Sequence, residues 1–436
     1  MTEQQLALLW QPLLGAKIIA RNNHFFNLGG HSLLATQLVF RIRQQLGANV
    51  ALGQIFDYPT LGAMAEFIDT LDAQAVDVAI PPIDSHQTVP LSHAQQRLWF
   101  LQQLAPDSGF YNVPAILRFE GDLCLITLQS AFDTLTARHR ILTTRFSEID
   151  GQICHFPCEL PSEKVTITAA INSASQSIED EAKRPFNLLN ETPLRLVIYP
   201  QNTLLVVMHH IVCDGWSRDI LIQQLAEAYE AHQLNKKPNW PTQTLQYRDF
   251  AHWQINQGVQ LYAKELRYWQ QHLGNDHAPL QLNTDYPRPA QQSYQGNHYQ
   301  FELCATLTDQ LTTLGQNHDA TLFMTLLAGW HALLYRYSGQ SQIRVGIPMA
   351  GRDQSELAQM VGLLANTLVT QSKPTSDLSF SELLTHIRQS TRAAFDQQNL
   401  PFEQLVRALQ PQRSASYSPL FQAFFSLQPR RNRHYL

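Results

Sequence analysis

Met208-His209-His210-Ile211-Val212-Cys213-Asp214-Gly215 sets two adjacent imidazoles three residues ahead of an Asp-Gly corner. The apolar run Leu204-Leu205-Val206-Val207 feeds into it, and a helical pattern begins near Ser217. A buried strand that ends at the histidine pair is the physical reading, with the Asp-Gly corner swinging the chain away. An imidazole held there takes or gives a proton near neutral pH. The alternative for a bare His-His pair is structural, with both rings satisfied by neighbouring carbonyls. A second chemical centre is Phe25-Phe26-Asn27-Leu28-Gly29-Gly30-His31-Ser32-Leu33-Leu34. Two glycines make a corner and Ser32 opens an amphipathic helix, where its hydroxyl either caps the helix or carries chemistry of its own.

The elements that position these groups fall into three segments. Residues 1 to about 72 form a helical unit, with Leu6, Leu9, Trp10, Leu13 and Leu14 at amphipathic spacing in its first stretch. Leu34, Leu38, Ile42 and Leu46 share a face of the second, and Leu61, Met64, Ala65 and Ile68 of a third after Pro59. So short a unit must be a compact bundle. The period fails over 73–88, where Ile80-Pro81-Pro82-Ile83 marks an extended linker. From Val89 on, strand-like and helix-like stretches alternate with no glycine-rich nucleotide loop, as expected of sheets covered by helices. A softer boundary between about 252 and 270 reads as the crossover between two lobes, 89–255 and 256–436.

The bulk properties narrow the function class. With 436 residues, 44% hydrophobic and 15% charged, the chain has the composition of a globular protein of two or three domains. A net charge of −5 argues against a nucleic-acid surface, and the concentrated basic run is Arg430-Arg431-Asn432-Arg433. Five cysteines without a CxxC pair read as idle thiols in a reducing compartment and give no metal site. No apolar run reaches membrane-spanning length and no signal peptide is present, so the expected location is cytoplasmic.

The His-His-x-x-x-Asp-Gly run resembles the signature of the condensation domains of nonribosomal peptide synthetases. Further motifs follow in that family's order from Val89 to Leu427. They are Leu91-Ser92-His93-Ala94-Gln95-Gln96-Arg97-Leu98-Trp99-Phe100-Leu101, Arg138-His139 with Thr144-Arg145-Phe146, and Tyr247-Arg248-Asp249-Phe250-Ala251 with Trp253. Then come Ile343 to Arg352, Val361-Gly362 with Asn366-Thr367-Leu368, Leu400-Pro401-Phe402-Glu403, and Ser418-Pro419-Leu420-Phe421. The run around Ser32 resembles the attachment motif of peptidyl carrier proteins, over the whole segment from Thr2 to Leu71.

The resemblance implies a small all-α four-helix carrier bundle (1–72), a linker (73–88) and a two-lobed α/β (α+β) domain similar to chloramphenicol acetyltransferase (89–436). The stretch after Leu427 matches nothing in the family, so the second lobe is expected to be shortened at its C-terminus, with the weaker fold of the two and low activity. The implied cofactor is 4′-phosphopantetheine, esterified to Ser32. The implied reaction is aminolysis of a thioester, with His210 as general base or as the group that positions the amine. His209 shapes the strand end, Gly215 offers an N–H to the developing oxyanion, and Asp214 anchors the loop through an arginine. Thr143 stands where the family has an arginine, which leaves Arg138, Arg344 and Arg352 as candidate partners for Asp214. Asn366 and Arg138 are the substrate-positioning candidates, and for Asn366 a turn-capping role is equally open. His31 before the serine suits a carrier that feeds a condensation domain, and the direct run from carrier to condensation domain implies an L-configured donor. Implied partners are an upstream adenylation domain, downstream adenylation and carrier domains, and a phosphopantetheinyl transferase. An epimerization domain of the same superfamily and a catalytically silent docking platform are the rival readings; the intact histidine pair argues against a heterocyclization domain.

Overall fold

Apolar residues at helical spacing close the first 71 residues around one cluster. A computed structural model describes residues 2–30, 32–48, 50–71, 80–84, 87–155, 165–169, 177–257, 259–352, 354–412 and 414–428. Helices α1 (Thr2–Leu14), α2 (Ser32–Leu46), α3 (Leu52–Asp57) and α4 (Leu61–Asp69) make the bundle. Leu6, Trp10, Leu38, Ile42, Ile55 and Met64 are fully buried in it. The Trp10 and Phe25 rings meet edge to face at 5.1 Å, and the Thr60 hydroxyl accepts from Ala63 N at 3.3 Å to cap α4. Helix α3 is the one that spacing does not reveal, because six residues are too few to show a period. His31, most of the expected linker, Cys158 and the basic run at 430–433 lie outside the described residues.

The chain divides into two compact units: Met1–Asp77 with Leu261–Ala358 and Asn366–Gln428, and Val78–Gln260 with Gln359–Ala365 and Pro429–Leu436. The second unit holds the histidine pair. In chain order its elements are β1 (Val89–Pro90), α5 (His93–Leu104), β2 (Asn112–Arg118), α6 (Leu125–Arg138), β3 (Phe146–Ile149) and β4 (Gln152–His155). They continue with β5 (Thr168–Ala169), α7 (Ile178–Lys183), β6 (Leu194–Tyr199), β7 (Thr203–His209), α8 (Gly215–Gln233) and α9 (Tyr247–Asn256). One sheet has the order β2-β7-β6-β5 and a smaller one β1-β4-β3. Strand β7 is buried at every residue and paired on both sides, which is why its sequence runs apolar without alternation.

The first unit continues beyond the bundle with α10 (Ala263–Leu273), α11 (Ala305–Asn317), α12 (Leu322–Ser338), β8 (Ile343–Met349), β9 (Asn366–Ser372), α13 (Phe380–Asp396), α14 (Phe402–Leu409) and β10 (Ala423–Phe424). Its sheet order is β10-β8-β9. The bundle shares a buried cluster with this part. Helix α3 lies on α13, where Asp57 pairs with Arg392 and the Phe56 and Phe395 rings stand 6.0 Å apart.

Candidate active site

The pleat of β7 ends at His209, and the next three residues, His210–Val212, wind into a 3-10 turn before Asp214 caps α8. The two histidines therefore meet different surroundings although they are adjacent. His209 is 1% exposed. Its Nδ1 accepts from Ile211 N at 3.1 Å, so its proton sits on Nε2, which faces Gln102 Oε1 at 3.4 Å. Burial pushes its pKa down to about 3, helped by His210 and Arg195 nearby. It is a neutral, buried ring.

His210 is only partly buried. Its backbone N–H donates to Tyr111 O at 2.8 Å, and its ring Nδ1–H donates to Cys213 O at 2.6 Å. That bond fixes the tautomer and leaves the lone pair of Nε2 without a partner among the described residues. An imidazole so held can accept a proton.

Asp214 is the N-cap of α8, so the helix starts two residues earlier than spacing suggests. Its Oδ1 accepts from Ser217 N and Ser217 Oγ, both at 2.8 Å. Its Oδ2 accepts from Leu364 N and Ala365 N, both at 3.1 Å. The carboxylate thus ties the histidine turn to the segment Gln359–Ala365 of the same unit. Ser217 Oγ also reaches Gly362 O at 2.9 Å, and Tyr247 Oη donates to Leu363 O at 2.8 Å. Gly362 has φ +158°, and a Cβ there would strike the Tyr247 ring. Two motifs far apart in sequence meet at that contact.

Gly215 is different. A Cβ built on it meets nothing within 4 Å, so no neighbouring protein atom demands glycine at this position. It is the first residue of α8, where N–H groups have no acceptor within the helix. Open space at a helix-opening N–H suits a carbonyl oxygen that gains negative charge.

The other candidates lie elsewhere. Arg138 donates to Pro241 O at 2.9 Å and stacks its guanidinium over Trp240 at 5.1 Å. Arg344 is committed to Leu273 O, Asp276 O and Gln371. Asn366 Nδ2 donates to Gln398 O and Leu400 O, and its Oδ1 accepts from Phe402 N, so the amide holds the turn before α14. Sequence reasoning misses the roles of Ser217, Tyr247 and Gly362. The Asp-x-x-Ser spacing of an N-cap is the signal that could find the first.

In the other unit, Ser32 is the first residue of α2. Gly29 adopts φ +95°, and a Cβ on Gly30 would strike Phe25, whose carbonyl accepts from Gly30 N at 3.0 Å. The corner is locked onto a fully buried ring. The first turn of α2 holds no acidic residue. A phosphodiester on a helix-opening serine is favoured by the helix N-terminus, so these residues fit phosphopantetheine.

Comparison with known proteins identifies two families along the chain. Residues 85–433 match the condensation domain family, and residues 4–68 match the phosphopantetheine attachment site family. The chain is 38% identical over 441 residues to malpinin synthetase of Mortierella alpina, covering 98% of this chain and 6% of that protein. It is 35% identical to surfactin synthase subunit 1 of Bacillus subtilis (strain 168), covering 98% of this chain and 12% of that protein. The chain thus spans a small fraction of such relatives. A crystal structure of the X-domain from teicoplanin biosynthesis shares the fold, with a TM-score of 0.70 at 24% identity over 79% of each chain. Among the described residues no helix is long and apolar enough to cross a membrane, and no cluster of metal-ligating side chains forms.

Proposed function

This chain belongs to the condensation domain family and carries a phosphopantetheine attachment domain ahead of it, and from that premise we propose that it forms peptide bonds in nonribosomal peptide synthesis. Ser32 would hold the group, which supplies a thiol for an aminoacyl or peptidyl thioester. His210 Nε2 accepts a proton from the attacking amine of a downstream carrier-bound aminoacyl group, or holds that amine in line. The N–H of Gly215 stabilises charge on the carbonyl oxygen, and Asp214 keeps Gly215 and the histidine turn in register. The observation that carries this reading is the fixed tautomer of His210, with Nδ1 spent on Cys213 O and Nε2 left without a partner among the described residues.

The donor would be L-configured, and the partners an upstream adenylation domain, downstream adenylation and carrier domains and a phosphopantetheinyl transferase. Cys154 and Cys213 are buried free thiols and Cys124 and Cys304 exposed ones, which suits a reducing cytoplasm.

Incubation with a phosphopantetheinyl transferase and CoA should add one phosphopantetheine mass, and Ser32→Ala should abolish it while costing at most about 1 kcal/mol of helix stability. Addition persisting in Ser32→Ala would overturn the assignment. Loading the protein and presenting a downstream aminoacyl carrier should then move the acyl group onto that carrier. A donor returned inverted but never transferred would point to epimerization, and a loaded protein that does neither would point to a docking platform.

A further inference from the structure

The peptide of Ile211, immediately after His210, is gripped from both sides by buried side chains of this unit. Its N–H is taken by His209 Nδ1. Its carbonyl accepts from Gln95 Nε2 at 3.0 Å. Gln95, in the first turn of α5, is fully buried, so this amide has no water to fall back on. Its orientation is over-determined: Oε1 accepts from Ser92 N at 3.2 Å and faces His155 Nε2 at 2.8 Å. An amide oxygen cannot donate, so His155 carries its proton on Nε2 and hands it to Gln95. Turning the amide over would lose the bonds to Ser92 N and Ile211 O. His155, on β4, is itself wedged between the Phe146 ring at 5.6 Å and the Tyr247 ring at 6.1 Å.

We propose that Gln95 and His155 are positioning residues for His210: a relay from His155 Nε2–H through the Gln95 amide to Ile211 O sets the pitch of the 3-10 turn that aims the His210 ring. The relay touches neither substrate nor the reacting atoms. It acts through the Ile211 peptide, and its purpose is that the Nδ1–H bond of His210 to Cys213 O survives while Nε2 stays open. His155 has no other proton to give, and its Nδ1 lacks a partner among the described residues. A ring kept for core packing alone would be better replaced by an apolar one, because a buried nitrogen without a partner is costly. The proposal rests on the reading of His210 as the proton-handling group.

The test is Gln95→Glu, which retains both accepted bonds at its carboxylate and sets an acceptor against Ile211 O in place of the donor. With the loaded protein and an aminoacyl carrier as acceptor, the transfer rate at saturation should fall about 10- to 100-fold with KM for the acceptor within about twofold. His155→Phe, which keeps the ring stack and removes the proton, should cost a smaller several-fold factor, and His155→Gln should recover part of it. The second readout needs no activity. In ¹⁵N-histidine spectra, with the His210 signals identified by their loss in His210→Ala, Gln95→Glu should shift the His210 nitrogens away from the single Nδ1–H tautomer. Unchanged His210 nitrogens in a folded Gln95→Glu protein would overturn the relay. So would a rise in KM with the saturated rate intact. If the wild-type protein transfers nothing, the functional reading fails, and the nitrogen spectra still decide the relay.

Discussion

Each unit sets a histidine against a strand, and the two are wired in opposite ways. His331 in α12 is fully buried, with Nδ1 at 2.8 Å from Ser372 Oγ and Nε2 at 3.2 Å from Thr370 Oγ1. Both nitrogens are spent on the strand beneath, and burial drives its pKa to about 3. His210 spends one nitrogen on Cys213 O and keeps the other open. A buried, strongly shifted histidine is thus a poor sign of chemistry in this molecule. An unfilled valence beside open space is the better one.

The sharpest way to break that contrast is to delete each ring. His210→Ala should lower acyl transfer by about 10²–10⁴ and leave the thermal midpoint nearly unchanged. His331→Ala should do the reverse, costing about 2–4 kcal/mol of stability through a cavity and the orphaned Ser372 hydroxyl while the folded fraction transfers at the normal rate. His209→Ala should cost stability in the same way and slow transfer far less than His210→Ala. Equal losses of rate and stability at His210 and His331 would remove the distinction.

Asp214→Ala comes next. The carboxylate accepts from Ser217 N and Oγ and from the backbone of Leu364 and Ala365. Leaving those donors unpaired should cost about 4 kcal/mol, and the transfer rate should fall as the histidine turn and the 359–365 segment part. Urea denaturation monitored beside the transfer assay would show both; a fully stable but inactive Asp214→Ala protein would instead make the carboxylate a direct participant.

How much of this is legible in the chain follows from sequence distance. The apolar run into β7, the histidine pair and the Asp-Gly corner are local, and their pattern alone identifies a strand, a turn and a helix start. Beyond their local serines, Asp214 has partners 150 and 151 positions away and Gln95 at 60 and 116, so no local pattern exposes these. His155 sits in no motif at all. The backbone N–H groups of Leu364 and Ala365 are donors to the buried Asp214 carboxylate that only folding brings to it. Helix α3 escapes because a six-residue element is shorter than two helical turns.

Acid should separate the units more gently. Burial lowers the pKa of His139 to about 4 and those of His155 and His209 to about 3 in the histidine-bearing unit. Each stays neutral in the folded state while the unfolded chain gains a proton below about pH 6.5. The stabilisation is therefore complete above that pH and is lost as pH falls toward the folded values, at roughly 1.4 kcal/mol per pH unit for each ring. In the other unit burial takes His331 to about 3 and lowers His24, His272 and His277 by less, so its dependence should flatten at a higher pH. Urea midpoints at pH 7.5, 6 and 5, read by a probe in each unit, check this. A midpoint in the histidine-bearing unit that does not move between pH 7 and 5 would mean the rings are solvated.

The smallest effect is expected where the first unit buries least. Strands β8 and β9 pair along seven residues, and Ile343, Val345, Ile347 and Val369 on them are fully buried. Residues 281–303 of the same unit run without helix or strand and are exposed at nearly every position, Tyr299 at 89% and Phe301 at 70%. In that stretch the backbone bond from Gln292 N to Ala415 O, at 2.9 Å, is the notable tether. Amide exchange depends on hydrogen bonds that must open, and few are present here to protect it. Deuterium uptake in 281–303 should therefore be complete at the earliest times, while peptides of 343–372 and of the histidine turn exchange orders of magnitude more slowly. Replacing Tyr299 and Phe301 with Ser should leave the unfolding midpoint within about 0.5 kcal/mol, as for surface positions away from packed contacts. Slow exchange through 297–303, with a clear loss of stability on that replacement, would show that the segment is covered in solution and that the two units are more alike in their packing than their buried histidines suggest.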